Sequence, residues 1–344
     1  MRHILFPDTI DIRNRRLPFF LATEEWAARL LPAGEYFFSW QVDPTVICGR
    51  NQEVDKEVDL DYCRRNGIDV VRRRSGGGAV FADRQNFMFS LITAGDNVTE
   101  VFARYTSLIA DALRGLGLDA EATGRNDIMI GGKKVAGNAF YHLPGRCIAH
   151  GTMLYDFDPT HLACALTPSK AKMESKGVKS APNRVTCLKN ENIPLSPSEF
   201  EQYMIAGLTD GEPYVVTAED CLAIEAIERG YYEPSFMRIS DTAKNPGTQK
   251  SSDNSHVCRS TRIDGLGEFC VDYDITPETN TISAFRISGD FFMRADVETE
   301  ICERLNGITC TPDAVEGLLR NLNVSDVIPG LSHTALADLI TREL

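Results

Sequence analysis

The alternation of apolar and polar residues predicts two helices in the first third of the chain. In Leu17–Leu31, LPFFLATEEWAARLL, apolar residues recur at helical spacing, Thr23 and Glu24–Glu25 fall on the other face, and Pro32 ends the segment. Thr99–Leu118 has a stronger amphipathic pattern, and its first residue can cap the helix. Each segment therefore predicts a helix with one buried face.

Short runs rich in β-branched and aromatic residues surround these helices. Gly34–Arg50, GEYFFSWQVDPTVICGR, holds two such runs around an Asp-Pro turn, and Val70–Val71 and Ala79–Phe81 flank a glycine run. Strands are also predicted in Asp127–Tyr141, with Gly-Gly as a hairpin turn signal, and in Cys147–Phe157. This order of elements predicts an α+β protein with mixed sheets flanked by helices.

A change in composition predicts a domain boundary late in the chain. Asp241–Ser255, DTAKNPGTQKSSDNS, is polar and has no periodicity, as is typical of a linker or mobile loop. Beyond it, Cys270–Ile287 predicts a hairpin, and Asp296–Asn306 and Pro312–Leu322 predict helices. We predict a first domain in residues 1–245 and, in residues 246–344, the linker and a small α+β accessory domain.

Composition narrows the class of partner. With 344 residues, 43% of them hydrophobic, the chain can build large cores, and its net charge of -13 argues against binding nucleic acid through overall charge. The N-terminal residues lack an apolar signal segment, and no apolar run approaches the roughly 20 residues that span a bilayer. The ten cysteines form no CxxC pair and no Cys/His cluster, which indicates reduced thiols. We therefore expect a cytoplasmic protein without nucleic-acid or membrane partners.

The segment Arg72–Val80, RRRSGGGAV, places arginines directly against glycines. Glycines let backbone N–H groups approach a ligand, and arginine can hold phosphate or carboxylate oxygens bidentately. The spacing fits neither GxxxxGK[ST] nor GxGxxG, so no P-loop or Rossmann fingerprint is present. From these residues alone, an anion site and a plain glycine hairpin both remain open.

Other candidate groups are ambiguous when each is taken alone. Asp127 can supply an oxygen ligand to Mg²⁺ or form a turn, and Lys134 can place one charge in a crowded site or lie in solvent at a hairpin end. His150 begins a strand pattern, where a hydrogen-bonded structural histidine is the simpler interpretation. The lysine-rich Ser169–Leu188 is either a solvated loop or a clamp over an anion.

Together these motifs resemble one family, the bacterial two-domain lipoate-protein ligases, in both order and wording. The resemblance runs through the motifs FFLATEEWA, GRNQEV, RRRSGGGAVFAD, GRNDI, KKVAGNAFY, HGTMLYD, KGVKSAPNRVTCL and ISGDFFMRADVETEICERLNGI. It covers nearly the whole chain. It implies the biotin and lipoate ligase catalytic fold, followed by a small C-terminal domain.

The resemblance also implies a two-step reaction with ATP, Mg²⁺ and lipoate. Lipoate and ATP give lipoyl-AMP, and the lipoyl group then passes to a lysine of a lipoyl carrier domain, either an E2 subunit of a 2-oxoacid dehydrogenase complex or the glycine cleavage H protein. A carboxylate is a poor acyl donor, so it must first form a mixed anhydride with AMP. That step brings the lipoate carboxylate and the ATP phosphates together, and because both are anions it requires positive groups.

Individual residues are assigned by matching the family motifs. Lys134 matches the lysine that bridges the lipoate carboxylate and the α-phosphate, and Asp127 matches a Mg²⁺ position. The resemblance assigns the following residues to ATP and lipoyl-AMP: Arg73, Ser75, Gly76, Gly77, Gly78, Ala79, Val80, Phe81, Asn126 and Lys134. It assigns the following to lipoate: Asn86, Lys134, Ala136, Gly137, His150 and Thr152. Lys170–Arg184 corresponds to a segment that closes over the intermediate.

One departure and two alternatives stay open at this point. Arg74 stands where the family often has a small residue, so any of Arg72, Arg73 and Arg74 can be the phosphate contact. An ATP-independent acyltransferase of the same fold would use a cysteine thioester, for which Cys147 and Cys164 are the candidates, although nothing in the sequence marks either thiol as activated. The other alternative is a noncatalytic homologue that binds lipoate or the carrier.

Overall fold

The structure is a computed structural model that describes residues 1–95, 97–124, 126–167, 184–238 and 255–342. Residue contacts divide the chain into two units. The first unit consists of Met1–Cys48, Lys56–Arg74 and Ala79–Met237. The second unit combines Arg238–Leu344 with two short segments from the first third of the chain, Gly49–Asp55 and Ser75–Gly78.

The described residues of the first unit form two sheets. Its strands are β1 (Arg2–Leu5), β2 (Tyr36–Trp40), β3 (Thr45–Cys48), β4 (Asp69–Arg72), β5 (Val80–Ala82), β6 (Asn86–Ala94), β7 (Ala120–Ala122), β8 (Asp127–Ile130), β9 (Lys133–Leu143), β10 (Arg146–Leu154) and β11 (Tyr214–Val215). Eight strands form one sheet in the order β11-β1-β2-β6-β10-β9-β8-β7, and β4-β3-β5 form the other. Both sheets mix parallel and antiparallel pairs.

Helices cover both faces of the eight-stranded sheet. In the described residues up to 238, the α-helices are α1 (Leu17–Leu30), α2 (Val54–Glu57), α3 (Leu60–Arg65), α4 (Val98–Gly115), α5 (Pro159–Ala165), α6 (Pro197–Leu208), α7 (Ala218–Glu228) and α8 (Pro234–Met237). Because side chains alternate along a strand, Phe38 of β2 packs in the cluster that contains α1 and α7, and Phe37 packs in the cluster that contains α4 and α6.

The second unit is built around an antiparallel sheet in the order β12-β13-β14. Its elements are β12 (Ser255–Ile263), β13 (Gly267–Thr276), β14 (Thr281–Gly289), a π-helical turn (Glu298–Cys302) that continues into α9 (Glu303–Leu305), α10 (Pro312–Asn321), α11 (Val324–Val327) and α12 (His333–Thr341). Phe269, Val271 and Tyr273 alternate along β13 into one hydrophobic core with residues of α10 and α12. The Phe269 and Phe291 rings stack with centroids 4.7 Å apart.

The predicted α+β class and the predicted elements around the glycine run are confirmed. The hairpin over Gly131-Gly132 joins β8 to β9, and the Cys270–Ile287 hairpin is the β13–β14 pair. The predicted closing segment Lys170–Arg184 lies outside the described residues except for Arg184, and the predicted linker Asp241–Ser255 lies outside them except for Ser255. Across the described residues, no helix is long and apolar enough to cross a membrane.

The prediction that α1 has a solvent-facing side at Thr23, Glu24 and Glu25 is wrong. All three residues are buried, and the two carboxylates have partners far away in the sequence, His150 for Glu24 and Arg74 for Glu25. The periodicity of one helix cannot reveal a polar partner that lies on another element. It therefore predicts that these carboxylates face solvent, although they are buried against such partners.

Two smaller expectations also change. The second helix runs from Val98 to Gly115, and Asn97 caps it in place of Thr99: the Asn97 side chain accepts a hydrogen bond from the N–H of Glu100. His150 lies in the middle of β10 and not at the start of a strand, with neighbours paired on both sides. His150 therefore lies on a central strand of the sheet, and its side chain is buried.

Candidate active site

Lys134 of β9 and Asp127, the first residue of β8, form a largely buried ion pair. Lys134 Nζ lies 2.8 Å from Asp127 Oδ1, and Asp127 is buried. A register shift between Ile128 and Met129 marks a bulge in this pair of strands. The Arg184 guanidinium forms a second ion pair with the other carboxylate oxygen, Oδ2. One carboxylate thus holds two cationic side chains.

Gly137 makes room for the Lys134 side chain. It lies opposite Asp127 in the β8–β9 register, so both residues face the same side of the sheet. A Cβ atom on residue 137 would lie 2.5 Å from Cε of Lys134 and still closer to Nζ. The lysine can therefore fold back along its own strand only because residue 137 has no side chain.

Asn126 is anchored through its main-chain carbonyl, whereas the side chain of Ala136 points to the other face of the sheet. The backbone N–H and the side-chain Nδ2 of Asn138 both donate to the Asn126 carbonyl, at 2.8 and 2.9 Å. Gly151 leaves space for this side chain, since a Cβ there would lie 2.8 Å from Cγ of Asn138. Ala136 pairs with Ile128 and packs in the hydrophobic cluster under α4 and α6, on the face opposite Gly137.

The strand register brings several of the predicted site residues to one face. Thr152 pairs with Met88 on one side and with Gly137 on the other, so a single row crosses β6, β10, β9 and β8 and ends at Asp127. The neighbouring row on this face carries His150. Thr152 Oγ1 donates to Met88 Sδ at 3.1 Å. Lys134, Asp127, Gly137, Thr152 and His150 therefore share one face of the sheet.

Asn86 lies on the same face of β6, one row beyond Met88. Its Nδ2 donates to Asp83 Oδ1 at 2.8 Å, and burial raises the pKa of the Asp83 carboxyl. Asn86 Oδ1 is buried and has no hydrogen-bond partner among the residues that the structure describes. A buried amide oxygen without a partner is costly, so this atom is a candidate contact for a ligand donor.

A buried polar network holds His150 in place. Its Nδ1 lies 2.8 and 3.0 Å from the two carboxylate oxygens of Glu24 on α1. Ser90 Oγ donates to the same carboxylate at 2.5 Å, and Trp40 Nε1 donates to Ser90 Oγ at 2.9 Å. Residues of one helix and two other strands thus fix the imidazole. Sequence reasoning missed Glu24, because its helix position alone suggested solvent.

The three arginines before the glycines point to different partners. Arg72 donates from Nε and Nη2 to the Met237 carbonyl at 3.1 and 3.0 Å, and Arg73 Nη1 donates to the Ile47 carbonyl at 3.0 Å. Burial lowers the pKa of Arg73 to about 10, which leaves the guanidinium charged at neutral pH.

Arg74, the departure from the family pattern, has its own environment. Its Nε lies 2.8 Å from Glu25 Oε2, and its guanidinium carbon lies 5.0 and 5.1 Å from the ring centroids of Tyr231 and Phe236. In β5, Phe81 stacks on the His161 ring at 5.8 Å, and Ala79 and Val80 are half-buried beside it.

Within the second unit, the glycine loop Ser75–Gly78 is held by main-chain contacts. Gly77 N–H donates to the Phe291 carbonyl at 2.9 Å. A Cβ atom on Gly76 would lie 3.0 Å from Phe292 Cα and still closer to the Phe291 carbonyl oxygen. In the same unit Arg50 pairs with Asp296 at 3.0 Å. The absence of a side chain at Gly76 is therefore a packing requirement.

The candidate cysteines have contrasting environments. Cys147 is buried in β10, where its Sγ donates to the Gly95 carbonyl at 3.4 Å, and Cys164 is exposed on α5. Within the described ranges, no group of three or more His, Cys, Asp or Glu side chains is arranged to hold a metal ion.

Comparison with known protein families identifies the class of protein to which the chain belongs. Residues 18–209 match the family described as the lipoyl protein ligase A/B catalytic domain, and residues 254–340 match the bacterial lipoate protein ligase C-terminus. The first match covers most of the first unit, and the second covers the sheet and helices of the second unit. The chain therefore combines the catalytic and C-terminal parts found in bacterial ligases.

Individual relatives agree with this class. The chain is 31% identical to lipoate-protein ligase LplJ of Bacillus subtilis over 346 aligned positions, which cover 98% of this chain and 100% of the relative. It is 41% identical to lipoate–protein ligase 1 of Staphylococcus aureus over 62% of this chain and 66% of that relative. The chain belongs to the lipoate-protein ligase family of enzymes.

Solved structures give the same result. A bi-partite lipoate protein ligase from Thermoplasma acidophilum, studied with its E2 lipoyl domain, is 28% identical with a TM-score of 0.59, over 69% of this chain and 95% of that chain. A lipoate-protein ligase A bound with ATP is 26% identical with a TM-score of 0.58, over 69% and 98%. Plasmodium falciparum LipL1 in complex with lipoate superposes over 99% and 98% with a TM-score of 0.74, and at 18% identity it supports the fold alone.

Proposed function

We propose that the protein activates lipoate with ATP to lipoyl-AMP and transfers the lipoyl group to a lysine of a lipoyl carrier domain. The observation that carries the proposal is the Lys134 ammonium, which is held by buried Asp127 over Gly137 on one face of the catalytic sheet. The related ligase with bound ATP and the archaeal ligase studied with its E2 lipoyl domain support the two halves of the reaction.

In the first step a lipoate carboxylate oxygen attacks the α-phosphorus of ATP. An O–P bond forms, the bond from that phosphorus to the β-phosphate side breaks, and pyrophosphate leaves. Both reactants are anions, so a cation between them lowers the barrier. Lys134 supplies a point charge that can contact the carboxylate and the α-phosphate together.

In the second step the amine nitrogen of the carrier lysine attacks the acyl carbon. A C–N bond forms, the C–O bond to AMP breaks, AMP leaves with the electron pair, and the amine loses one proton to solvent. Negative charge develops again on oxygen next to the same phosphate. The Lys134 ammonium therefore stabilises both transition states.

The remaining site residues are assigned as part of the proposal. For ATP and lipoyl-AMP we propose contacts from Arg73, Ser75, Gly76, Gly77, Gly78, Ala79, Val80, Phe81 and Asn126. For lipoate we propose contacts from Asn86, Gly137, His150 and Thr152 on the shared face, and from the main chain of Ala136, whose side chain lies on the opposite face. The buried Asn86 Oδ1, which lacks a partner within the described residues, and the shared sheet face support the lipoate group. We further propose residues 1–245 as the catalytic domain and 246–344 as the linker and accessory domain.

Asp127 is the residue we propose for Mg²⁺. Mg²⁺ in nucleotide sites commonly takes one or two carboxylates and completes its shell with phosphate oxygens and water, so a single buried carboxylate fits. Bound to ATP, the ion would offset phosphate charge. If Asp127 bound Mg²⁺, Lys134 and Arg184 would lose their ion pairs with its carboxylate. They would then contact the phosphate oxygens of ATP, so each charge would still have a partner.

The carriers we propose are the lipoyl domains of E2 subunits and the glycine cleavage H protein. We propose that the reaction takes place in the cytoplasm, where ATP is available and where cysteine thiols stay reduced.

The direct test is the intact mass of a purified E2 lipoyl domain after incubation with the protein, lipoate and MgATP. The proposal predicts a mass increase of one lipoyl group that needs all three components and is absent when the acceptor lysine is changed to arginine. An unmodified domain, or modification without ATP, would contradict it.

A further inference from the structure

Among the ion pairs that the described residues form with Asp127, the charges do not cancel. Its carboxylate carries one negative charge and is buried, whereas Lys134 binds Oδ1 and Arg184 binds Oδ2, each with one positive charge. Lys134 and Asp127 alone would form a neutral pair. With Arg184, these three described side chains carry a net positive charge, which favours the binding of an anion.

The main chain ties Arg184 to the strand that carries Lys134. Val185 forms a parallel bridge with Lys134, and the N–H of Thr186 donates to the Lys134 carbonyl at 2.8 Å. Thr186 Oγ1 donates to Glu191 at 2.6 Å, which anchors the segment further. The guanidinium is thus placed beside the ammonium by backbone contacts and not by the ion pair alone.

Exposure differs among the three charged groups. The Arg184 side chain is 28% exposed, against 17% for Lys134 and 7% for Asp127. Arg184 is therefore the most accessible charge of the cluster. Its planar fork of N–H donors suits two phosphate oxygens at once, which an ammonium cannot match.

We propose that Arg184 is a substrate-binding residue that acts beside Lys134 and binds phosphate oxygens of the nucleotide. This inference rests on the proposed ATP-dependent function. When ATP binds, Arg184 exchanges Asp127 for phosphate, and Lys134 remains available for the lipoate carboxylate. Asp127 holds both cations in place before the nucleotide arrives.

The test separates phosphate binding from a purely structural ion pair. ATP affinity is measured by calorimetry, without lipoate, for the wild type, Arg184→Gln, Asp127→Asn and the double variant. Arg184→Lys retains the charge and provides a second variant, and Arg64→Gln, which removes an exposed arginine paired with Asp61, is the matched control. Thermal denaturation checks that each protein folds.

We expect Arg184→Gln to weaken ATP binding at least tenfold, about the effect of losing a charge-assisted hydrogen bond, and to do so in the Asp127→Asn background as well. Arg184→Lys should recover part of the loss, and Arg64→Gln should bind as the wild type does. The proposal is overturned if Arg184→Gln has no effect once Asp127 is replaced, because the arginine would then act only through the carboxylate. Failure of the wild type to modify a lipoyl domain would overturn the proposed function instead.

Discussion

The side chain of Lys134 occupies the space that a side chain on Gly137 would need. A Cβ atom at position 137 would lie 2.5 Å from Lys134 Cε. The neighbouring atoms are the end of a flexible side chain, so an alanine can be accommodated if the ammonium moves. The glycine thus sets the position of the lysine without contributing a functional group.

Gly137→Ala should therefore reduce activity with little loss of stability. Displacing a reacting group by about 1 Å can cost about 100-fold in rate, and we expect at least a tenfold loss in kcat/KM for ligation. Gly207→Ala, at an exposed helical glycine with open space around it, is the control and should keep full activity. Wild-type kinetics in Gly137→Ala would show that the position of the ammonium is not set by this contact.

How much of the site the sequence predicts depends on how far apart in the sequence the contacting residues lie. The β8–β9 hairpin and the position of Lys134 in it were predictable, because the turn glycines and the motif are local. The contacts of Glu24 and Arg184 were not, since their partners His150 and Asp127 lie 126 and 57 positions away in the sequence. The assignment of Ser75–Gly78 to the second unit also depends on contacts with distant residues that no local pattern reveals.

The buried pair of Glu24 and His150 makes a stability prediction. Glu24→Ala removes the partner of a buried imidazole and leaves Ser90 without its acceptor, so the free energy of unfolding should fall by about 3 kcal/mol. Glu278→Ala, at an exposed position in the β13–β14 turn, should change it by less than about 0.5 kcal/mol. Chemical denaturation of both variants is the measurement, and equal stabilities would argue against the network.

Gly76→Ala tests the packing of the glycine loop. The added Cβ meets the main chain of Phe291 and Phe292, which cannot move as a side chain can, so we expect a destabilisation of about 1–3 kcal/mol together with weaker ATP binding. Gly317→Ala, in α10 of the same unit with open space around it, should be neutral or stabilising. Thermal denaturation and ATP titration distinguish the two; an unchanged Gly76→Ala protein would refute the packing requirement.

Cysteine substitutions separate a ligase from a thioester-forming transferase. Cys147→Ser and Cys164→Ser should each keep most of the ATP-dependent ligation, because adenylate chemistry needs no thiol intermediate. Cys147 is buried and its thiol donates a hydrogen bond to the Gly95 carbonyl, so the Cys147→Ser variant needs a folding control. An acyl-thioester that is trapped on either residue and disappears on its substitution would place the chain among the transferases.

The measurement that most directly tests the central claim is lipoate-dependent exchange of pyrophosphate into ATP by the wild type, Lys134→Met and Lys133→Met. Lys133 is the exposed neighbour in the same hairpin, which makes it a matched control for charge and location. The account predicts exchange by the wild type and Lys133→Met and a loss of at least about 100-fold in folded Lys134→Met. Exchange by Lys134→Met at the wild-type rate would contradict the role of the lysine, and its absence from the wild type would contradict adenylation itself.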